Sequence, residues 1–588
     1  MTDFPPALVL IAGGFVLPFV PSRLRAAFLL ALPVATLALV WSLPGGAAPD
    51  WTVHGYELVP VKVDALGRLF ASIFAIMGFA GALFALNQSR TLELACASIY
   101  AGSAIGVAFA GDLLTLFVFW ELMALASTGV LIAAGGDGTL RAAGRYFVVH
   151  MLGGAFLMAG VLLHVSETGS LAFGAMEADS WGTWLMLAGV LVNAAAPPLS
   201  AWLPDAYPEA SWSGMVFLSA FTTKAAVYVL IRGFPGTEAL VWIGLFMIFY
   251  GIIYALLEND MRRILAYSIV NQVGFMVAGV GIGTEMALNG AAAHAFTHII
   301  YKALLLMSAG SVLYMTGRRK CTDLGGLFRT MPLTTLCGTI GALSISSFPL
   351  TSGFVSKSMI AQAATDEALA VTWFLLMAAS AGVFLHAGIK FPWFVFFQKD
   401  SGLRPPDPPW NMRAAMVLFA ALCIGIGIWP EPLYRLLPFP VDYAPYTAPH
   451  VVNALQLLLF SGLAFFLLLP IMQRTLTITL DVDRLWRPGG GGPSAAGLAG
   501  RLFAPVLAGR SGLVARAARA ADAVLHPFRP EGILAAAPPI DTMVRNVLIA
   551  LLLALVLGYL ALREASSAGF EPIPVSAITI TTTIERNS

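Results

Sequence analysis

Two histidines and a lysine follow one another at four-residue spacing in the apolar stretch HAFTHIIYKALLLMSAGS, residues 294–311. They are His294, His298 and Lys302. Each step of four residues in a helix turns a side chain by only about 40°, so the three side chains share one stripe. Histidine exchanges protons near neutral pH, and a lysine removed from water gives up its proton more readily. The spacing therefore predicts a proton relay along one helix face.

Three more ionisable residues stand within apolar stretches. Glu121 lies in LFVFWELMALAS, Lys224 in AFTTKAAVYVLIR and Lys357 in SGFVSKSM. A charge at the centre of a membrane helix costs about 2.5 to 3.5 kcal/mol on insertion scales, so such residues indicate a function. We expect all three to belong to the same proton pathway as the stripe.

Other ionisable residues also have structural interpretations. Lys390, in HAGIKFPWF, is a pathway candidate whose long stem could instead carry its ammonium group to the membrane interface. Asp112, nine residues before the glutamate, is a candidate site residue or a helix cap. The remaining isolated histidines are interpreted as structural: His150, His164 and His386.

Metal and redox chemistry find little support in the sequence. His294 and His298 have a spacing that can chelate zinc, but no carboxylate or third histidine stands nearby to complete a site. Four cysteines are widely scattered, without the CxxC spacing of a zinc or iron–sulfur site. We therefore predict no metal, no cofactor and no redox centre in this chain.

Composition defines the class of protein. Of 588 residues, 58% are hydrophobic and 11% are charged, and the mean hydropathy is +0.82, far from the values of soluble domains. Apolar runs long enough to cross a bilayer recur along the chain, which predicts an all-α polytopic membrane protein with about sixteen transmembrane helices. The net charge of +1 gives no sign of a nucleic-acid partner.

Two of the predicted spans are too long and are interrupted by proline or glycine, at NAAAPPLSAWLPDAYPEA (193–210) and SISSFPLTSGFVSKSM (344–359). A broken helix is tolerated in a membrane where its freed backbone groups line a cavity, and a pair of them points to a transport site. Both occupy the fourth place in successive five-helix sets, 91–233 and 239–397. Because five is odd, the two sets are predicted to be inverted repeats.

The rest of the chain divides around these repeats. We expect N-terminal transmembrane helices at 1–90, further transmembrane helices at 398–470, and a last helix with a tail at 545–588. Segment 471–544 combines a Gly-rich linker with arginines at helical spacing among apolar residues, which predicts an amphipathic helix on the membrane surface or a partly helical cytoplasmic loop. Positive residues collect in alternate loops, which places those loops in the cytoplasm and both termini outside.

These stretches resemble the antiporter-like subunits shared by respiratory complex I and the multisubunit Mrp-type Na+/H+ antiporters. The resemblance covers about residues 60–400 and rests on these segments: DLLTLFVFWELMALAS, PPLSAWLPDAYPEA, TTKAAVYVLIR, RRILAYSIVNQVGFM, HAFTHIIYKALLLMSAGS and FPLTSGFVSKSMI. The resemblance implies two inverted five-helix repeats and a buried chain of glutamate, lysines and histidines that carries protons.

The resemblance also implies roles for single residues. Glu121 matches the essential glutamate of the family, Lys224 the lysine on the helix after the first break, and Lys357 the lysine in the second broken helix. The stripe on residues 294–302 matches the central connection. The TTKAAVYVLIR stretch is closer to the Mrp D subunit, whereas the C-terminal layout resembles the distal complex I subunit with its lateral helix.

One position departs from the family pattern. The family usually has a lysine nine residues before the tryptophan of its PL..WLP motif, and nine residues before Trp202 this chain has Asn193. A glutamate without a nearby lysine is protonated more readily. We therefore expect Glu121 either to pair elsewhere, with Lys224 as the candidate, or to be often neutral.

Three functions remain open at the level of the sequence. The first is a proton- and cation-translocating subunit of a multisubunit Na+/H+ antiporter. The second is a proton-pumping membrane subunit of a complex I-like oxidoreductase or membrane hydrogenase, whose redox site would lie in other subunits. The third is a transport-inactive scaffold, which Asn193 motivates and the buried charges oppose. The expected partners are other membrane subunits, the lipid bilayer and H+, with Na+ as a candidate second ion, in the cell's inner membrane.

Overall fold

The structure, a computed structural model, describes residues 5–48, 51–53 and 56–469. The amphipathic segment predicted within 471–544 and the last helix predicted at 545–563 lie outside the described residues. The domain boundaries drawn from the sequence stay predictions.

Helices dominate the described chain. The first ten are α1 (Ala7–Val16), α2 (Ser22–Ser42), α3 (Ala65–Phe84), α4 (Thr91–Phe109), α5 (Leu113–Ala134), α6 (Asp137–Thr168), α7 (Trp181–Asn193), α8 (Trp202–Ala206), α9 (Gly214–Leu218) and α10 (Thr222–Gly233).

The next nine are α11 (Ala239–Leu257), α12 (Met261–Ile282), α13 (Glu285–Thr316), α14 (Pro332–Ile345), α15 (Ser352–Asp366), α16 (Ala370–Val383), α17 (Trp410–Ile428), α18 (Glu431–Tyr434) and α19 (Ala448–Leu468). Helix α16 continues into two π-helical stretches, Phe384–Lys390 and Trp393–Phe397.

Among the described residues, twelve helical stretches are long and apolar enough to cross a membrane, and three shorter apolar helices accompany them. Each corresponds to one of the predicted spans, so the polytopic helical fold is confirmed. The predicted span that has no counterpart here is the last one, outside the described residues. The count of sixteen and the inverted repeats therefore stay predictions.

Four three-residue strands were not predicted. They are β1 (Gly46–Ala48), β2 (Trp51–Val53), β3 (Tyr56–Leu58) and β4 (Val61–Val63). Strand β1 pairs antiparallel with β4, and β2 pairs antiparallel with β3. They lie between α2 and α3 in the chain, and β4 packs against α3 and α4.

The two predicted breaks are present and have the same backbone geometry. Helix α7 ends at Asn193, Ala195 takes a φ of 61°, and the Ala196 amide donates to the Leu191 carbonyl at 3.0 Å. Helix α14 ends at Ile345, Ser347 takes a φ of 57°, and the Phe348 amide donates to the Leu343 carbonyl at 3.0 Å. A left-handed residue with such a long-range amide bond is a Schellman-type helix end. At both breaks the helix therefore ends in a regular, hydrogen-bonded C-terminal motif.

Helix α13 is the central element. From Ala287 to Val312 all of its residues are buried, and it contacts helices on every side: α3, α9, α10, α12, α14, α15 and α17. A helix surrounded in this way is shielded from lipid all round, so its polar residues face protein. This position explains how one helix can carry three ionisable side chains.

Arginine-rich loops meet at one end of the helical body. Arg319 pairs with Glu209 at 3.0 Å and with Asp260 at 2.9 Å, and Arg25 donates to Thr91 at 2.9 Å. These residues belong to loops, and to the ends of helices beside them, that the sequence assigns to the cytoplasmic side. Their meeting supports the predicted alternation of loops, and which end faces the cytoplasm stays a prediction.

Candidate functional site

The stripe on α13 is completely enclosed. His294, His298 and Lys302 each have a relative exposure of 0%. The rings of the two histidines lie 6.3 Å apart between centroids, too far for direct proton transfer between them without an intermediate group. The helix therefore holds three buried ionisable groups in one file, as the spacing predicted.

His294 is held by partners from three helices. Its Nε2 lies 3.1 Å from Gln272 Oε1 of α12, and its Nδ1 lies 3.1 Å from Ser356 Oγ of α15. The hydroxyl of Tyr301, 7 residues further along α13, lies 3.3 Å from Nε2 and donates to Gln272. Because an amide oxygen only accepts, Nε2 carries a proton in the bond to Gln272, and Nδ1 lies within hydrogen-bond distance of the serine hydroxyl. Both nitrogens are thus engaged by protein, which opposes the zinc-chelating interpretation.

The other two members of the stripe are differently placed. Neither ring nitrogen of His298 has a hydrogen-bond partner among the described residues, and the same is true of Lys302 Nζ. The ring of Tyr301 stands edge-on to His298 at 5.2 Å. The charge of Lys224 acts on both His298 and Lys302. Three basic groups from two helices therefore share one buried region, and a proton placed on any of them repels protons on the others.

Lys224 follows a third helix interruption, which the sequence analysis missed. Helix α9 ends at Leu218 and α10 begins at Thr222. Lys224 Nζ donates to the Ser219 carbonyl at 2.6 Å, within this gap. Backbone carbonyls at the end of a helix carry partial negative charge and accept bonds from cations. The gap thus supplies a free backbone carbonyl that binds an ammonium group inside the membrane, and we call such a carbonyl a seat.

Lys357 has the same kind of seat. Its Nζ donates at 3.0 Å to the carbonyl of Ile345, the last residue of α14 at the second break. It also lies 4.7 Å from the centre of the Phe275 ring, a cation–π contact. Its neighbour Ser356 is the residue that bonds His294, and the Lys357 charge acts on His294. The second break is therefore joined to the stripe.

Glu121 is not paired with a lysine. Its Oε1 is buried without a hydrogen-bond partner among the described residues, and its side chain lies against Gly154 of α6. Lys224 donates to Ser219 and to Thr223 instead. The predicted pairing of Glu121 with Lys224 is wrong, because the gap before α10 offers the lysine a carbonyl.

Asn193 and Asp112 differ in their surroundings. Asn193 ends α7 fully buried, and neither polar atom of its side chain has a partner among the described residues. Asp112 caps α5, accepting from the Thr115 amide at 2.7 Å and hydroxyl at 2.6 Å, and from the Val59 amide at 2.9 Å. The cap is one of its two predicted roles and accounts for its buried carboxylate.

Lys390 does not extend to water. It is 3% exposed, and its Nζ donates to the carbonyls of Ala255, Leu256 and Glu258 at 3.0, 2.6 and 2.5 Å. The ammonium group reaches the end of α11 but is enclosed by protein there, so the interpretation that it reaches water is wrong. Three carbonyls accept all three hydrogens of an ammonium group, so the structure fixes a positive charge at the end of α11.

Several uncharged residues around the first break were also missed. Tyr100 OH lies 2.6 Å from Thr222 Oγ1 and accepts from the Thr222 amide at 2.9 Å, and Tyr146 donates to Ser127 at 2.9 Å. Hydroxyl groups both donate and accept, so they can pass a proton. Gln272, Tyr301 and Ser356 are likewise neutral side chains and bond directly to His294. Polar pairs such as Asn271–Gln272 within an apolar span were the available signal.

One buried carboxylate lies near the arginine-rich end. Glu93, at the start of α4 and 0% exposed, accepts from Ser211 at 2.7 Å and Ser213 at 2.5 Å, with Gln88 at 3.3 Å. These serines lie in the link between the first break and α9. Glu93 therefore fixes the segment that leads to Lys224.

This fold and this site define a class of protein. It is a helical membrane protein in which a buried file of histidines and lysines joins two broken helices. The family model described as NADH:quinone oxidoreductase/Mrp antiporter, transmembrane, matches residues 110–385, which contain every residue of the file.

Three relatives extend the match. The chain is 30% identical over 503 residues to the NADH-quinone oxidoreductase N subunit of Desulforudis audaxviator, covering 76% of this chain and 100% of that protein. It is 30% identical over 353 residues to the Na(+)/H(+) antiporter D subunit of Alkalihalophilus pseudofirmus, covering 56% of this chain and 71% of that protein. It is 29% identical over 473 residues to a probable K(+)/H(+) antiporter A/B subunit of Rhizobium meliloti, covering 72% of this chain but 46% of that protein. The chain belongs to the NADH:quinone oxidoreductase/Mrp antiporter transmembrane family.

Two solved structures share the fold. A chain of the Mrp complex from Dietzia sp. has a TM-score of 0.63 at 20% identity, covering 79% of this chain and 98% of that one. A chain of an archaeal membrane-bound sulfane sulfur reductase has a TM-score of 0.68 at 22% identity, covering 94% of this chain and 99% of that one. Both are parts of membrane complexes.

Proposed function

We propose that this chain is a proton- and monovalent-cation-translocating subunit of a multisubunit antiporter, working with other membrane subunits in the cell's inner membrane. The proton pathway consists of Lys224, the stripe on α13 and Lys357, with Glu121 as a further proton-binding group. The names of the relatives, one a Na(+)/H(+) and one a K(+)/H(+) antiporter subunit, support a cation as the second ion.

One observation carries the proposal. Lys224, Lys302 and Lys357 are each buried to 4% exposure or less, and the salt bridges of the described residues include none of the three. A buried charge without an opposite charge is a large cost to the fold, which selection would remove from a scaffold. The cost is explained if the function of these lysines is to gain and lose protons. The scaffold alternative is for this reason the weakest.

The seats of the lysines suggest how a proton moves. Lys224 and Lys357 each rest on a carbonyl at a helix interruption, and the stripe lies between them. A proton that arrives on the stripe raises the repulsion felt at both ends. We infer that this repulsion drives release at one end and loading at the other, while Gln272 and Ser356 set the bonding state of His294.

A complex I-like proton pump is the second candidate. The N subunit of the Desulforudis audaxviator oxidoreductase matches along its whole length, and the sulfane sulfur reductase chain overlaps 94% of this one. The proton pathway would be the same in both cases, and only the driving partner would differ. Iron–sulfur subunits that co-purify with the chain would decide for the pump.

The test uses the complex purified from its native membrane and placed in vesicles. We would compare ΔpH-linked Na+, K+ and H+ flux of the wild type with Glu121→Gln and Lys357→Met. The matched control is Lys399→Met, because Lys399 also donates to a backbone carbonyl, that of Thr322 at 2.6 Å, but at the exposed surface. We expect both test variants to lose flux and the control to keep it. Normal flux in both test variants would place transport in a partner subunit.

A further inference from the structure

His386 was interpreted from the sequence as an isolated structural histidine, and its surroundings suggest a further role. It lies on the first π-helical stretch, Phe384–Lys390, with an exposure of 0%. The charges of Lys302 on α13, Lys357 on α15 and Lys390 on its own stretch all act on it. A histidine that the pathway described above does not use thus lies within the electrostatic reach of lysines on three elements.

The bonding of His386 defines its chemistry. Its Nδ1 lies 2.8 Å from the Gly382 carbonyl, and its Nε2 is buried without a partner among the described residues. Because a carbonyl only accepts, Nδ1 carries the hydrogen and Nε2 presents a free lone pair. A buried basic nitrogen with no bond to protein is ready to accept a proton.

The backbone places this nitrogen at the second break. A side chain at Gly388 would collide with the Ser346 hydroxyl, so the π-helical stretch packs directly on the residues that follow α14. Stretches of π-helix inside α-helices are rare and occur frequently at functional sites. Lys357 donates to Ile345, the residue before Ser346, so the stretch that carries His386 packs beside the carbonyl that holds Lys357.

His150 provides an internal comparison. Its Nδ1 lies 2.9 Å from the Tyr146 carbonyl, four residues earlier as in His386, and its Nε2 is likewise buried without a partner among the described residues. Its surroundings are aromatic, with Tyr146 stacked at 3.9 Å and Trp202 edge-on at 4.5 Å. Among the described residues no charged side chain acts on it. His386 and His150 therefore have the same local hydrogen bonding, but lysines influence His386 whereas aromatic rings surround His150.

We propose that His386 is a further proton-carrying residue, which connects Lys302 to Lys357. Neither Lys302 Nζ nor His386 Nε2 has a hydrogen-bond partner among the described residues, so water must carry the proton between them. In the forward step an N–H bond of the Lys302 ammonium breaks, the proton passes through water, and an N–H bond forms at His386 Nε2. The imidazolium then gives a proton, again through water, to the neutral amine of Lys357. Lys390, held charged by its three carbonyls, repels the imidazolium and keeps it short-lived. This inference rests on the proposed function.

The test compares His386→Asn with His150→Asn in the vesicle-reconstituted complex. Asparagine keeps a donor for the i−4 carbonyl in both variants and removes the ring nitrogen that accepts the proton. We expect H+ flux to fall by about tenfold or more in His386→Asn, the range of a lost proton-transfer group, and to stay within about twofold in His150→Asn. Wild-type flux in an assembled His386→Asn complex would overturn the proposal.

A second variant and a reference separate the possible failures. His386→Gln places an amide near the Nε2 position and should lose flux in the same way. If both His386 variants fail to assemble while His150→Asn assembles, the role is structural and the proposal is overturned. If Lys357→Met abolishes flux and His386→Asn does not, only the role of His386 is wrong. Normal flux in Lys357→Met would instead contradict the proposed function itself.

Discussion

Gly154 offers a way to disturb Glu121 without changing any ionisable group. A Cβ at Gly154 would overlap Glu121 Oε1 and lie 2.8 Å from Cδ. Carbon atoms settle at about 3.5 to 4.0 Å, so in Gly154→Ala the carboxyl group must move by about 1 Å. Because this group is the end of a flexible and only partly buried side chain, it can move without disturbing α6.

The expected stability change is small and the expected loss of function is large. Alanine gains about 1 kcal/mol over glycine in a helix, while overpacking costs about 1 to 3 kcal/mol where the neighbour cannot move. Since Glu121 can move, we expect the thermal stability to stay within about 1 kcal/mol of the wild type. A displacement of about 1 Å at a reacting group can cost a hundredfold in rate, so flux should fall at least about tenfold.

Gly144→Ala is the matched control on the same helix, because a Cβ there meets nothing within 4 Å. Both variants would be assayed by thermal unfolding of the purified complex and by ΔpH-linked flux in vesicles. Gly144→Ala should keep full flux and gain stability. Wild-type flux in Gly154→Ala would refute the assignment of a role to the Glu121 carboxylate at this position, and loss of assembly would show that the contact is rigid.

Three further predictions concern the partners of the site. Ser356→Ala removes the hydroxyl bonded to His294 and should cost about 1 to 3 kcal/mol of stability together with most of the flux, measured by thermal unfolding and vesicle assay. Glu93→Ala should destabilise the complex by about 1 to 3 kcal/mol because buried serines lose their acceptor, whereas Glu93→Gln should cost clearly less in the same melts. Burial raises the pKa of Asp260 above its ordinary value while Arg319 opposes the rise. The stability contributed by its protonated form is therefore present at low pH and lost as pH rises through that pKa, and melts of Asp260→Asn over a pH series should lack this slope.

Much of the helical architecture could be predicted from the sequence. Apolar runs of spanning length are a strong signal, and the two long spans with Pro-Leu breaks had no other simple explanation. The interruption before Lys224 escaped because SAFTTK contains neither proline nor glycine, so only the hydroxyl of Tyr100 and the lysine itself mark it. The strands at 46–63 are too short to show a period.

The charged members of the site could be predicted, and their partners could not. A lysine or histidine in an apolar span is conspicuous because of its cost. Whether it meets a carboxylate, a carbonyl or another cation depends on which helices touch, and that is a property of packing. For this reason the sequence suggested Lys224 as a partner of Glu121, left Lys390 free to reach water, and made His386 look isolated.

The central claim is that the stripe on α13 carries protons, and Lys302→Met tests it most directly. Methionine keeps the length and apolar stem of lysine in a site where Nζ has no hydrogen-bond partner among the described residues, so the fold loses no bond there. H+ flux would be followed with a pH-sensitive dye in vesicles that contain the assembled complex. The account predicts an assembled, stable complex that no longer moves protons. Unchanged proton flux in that complex would contradict it.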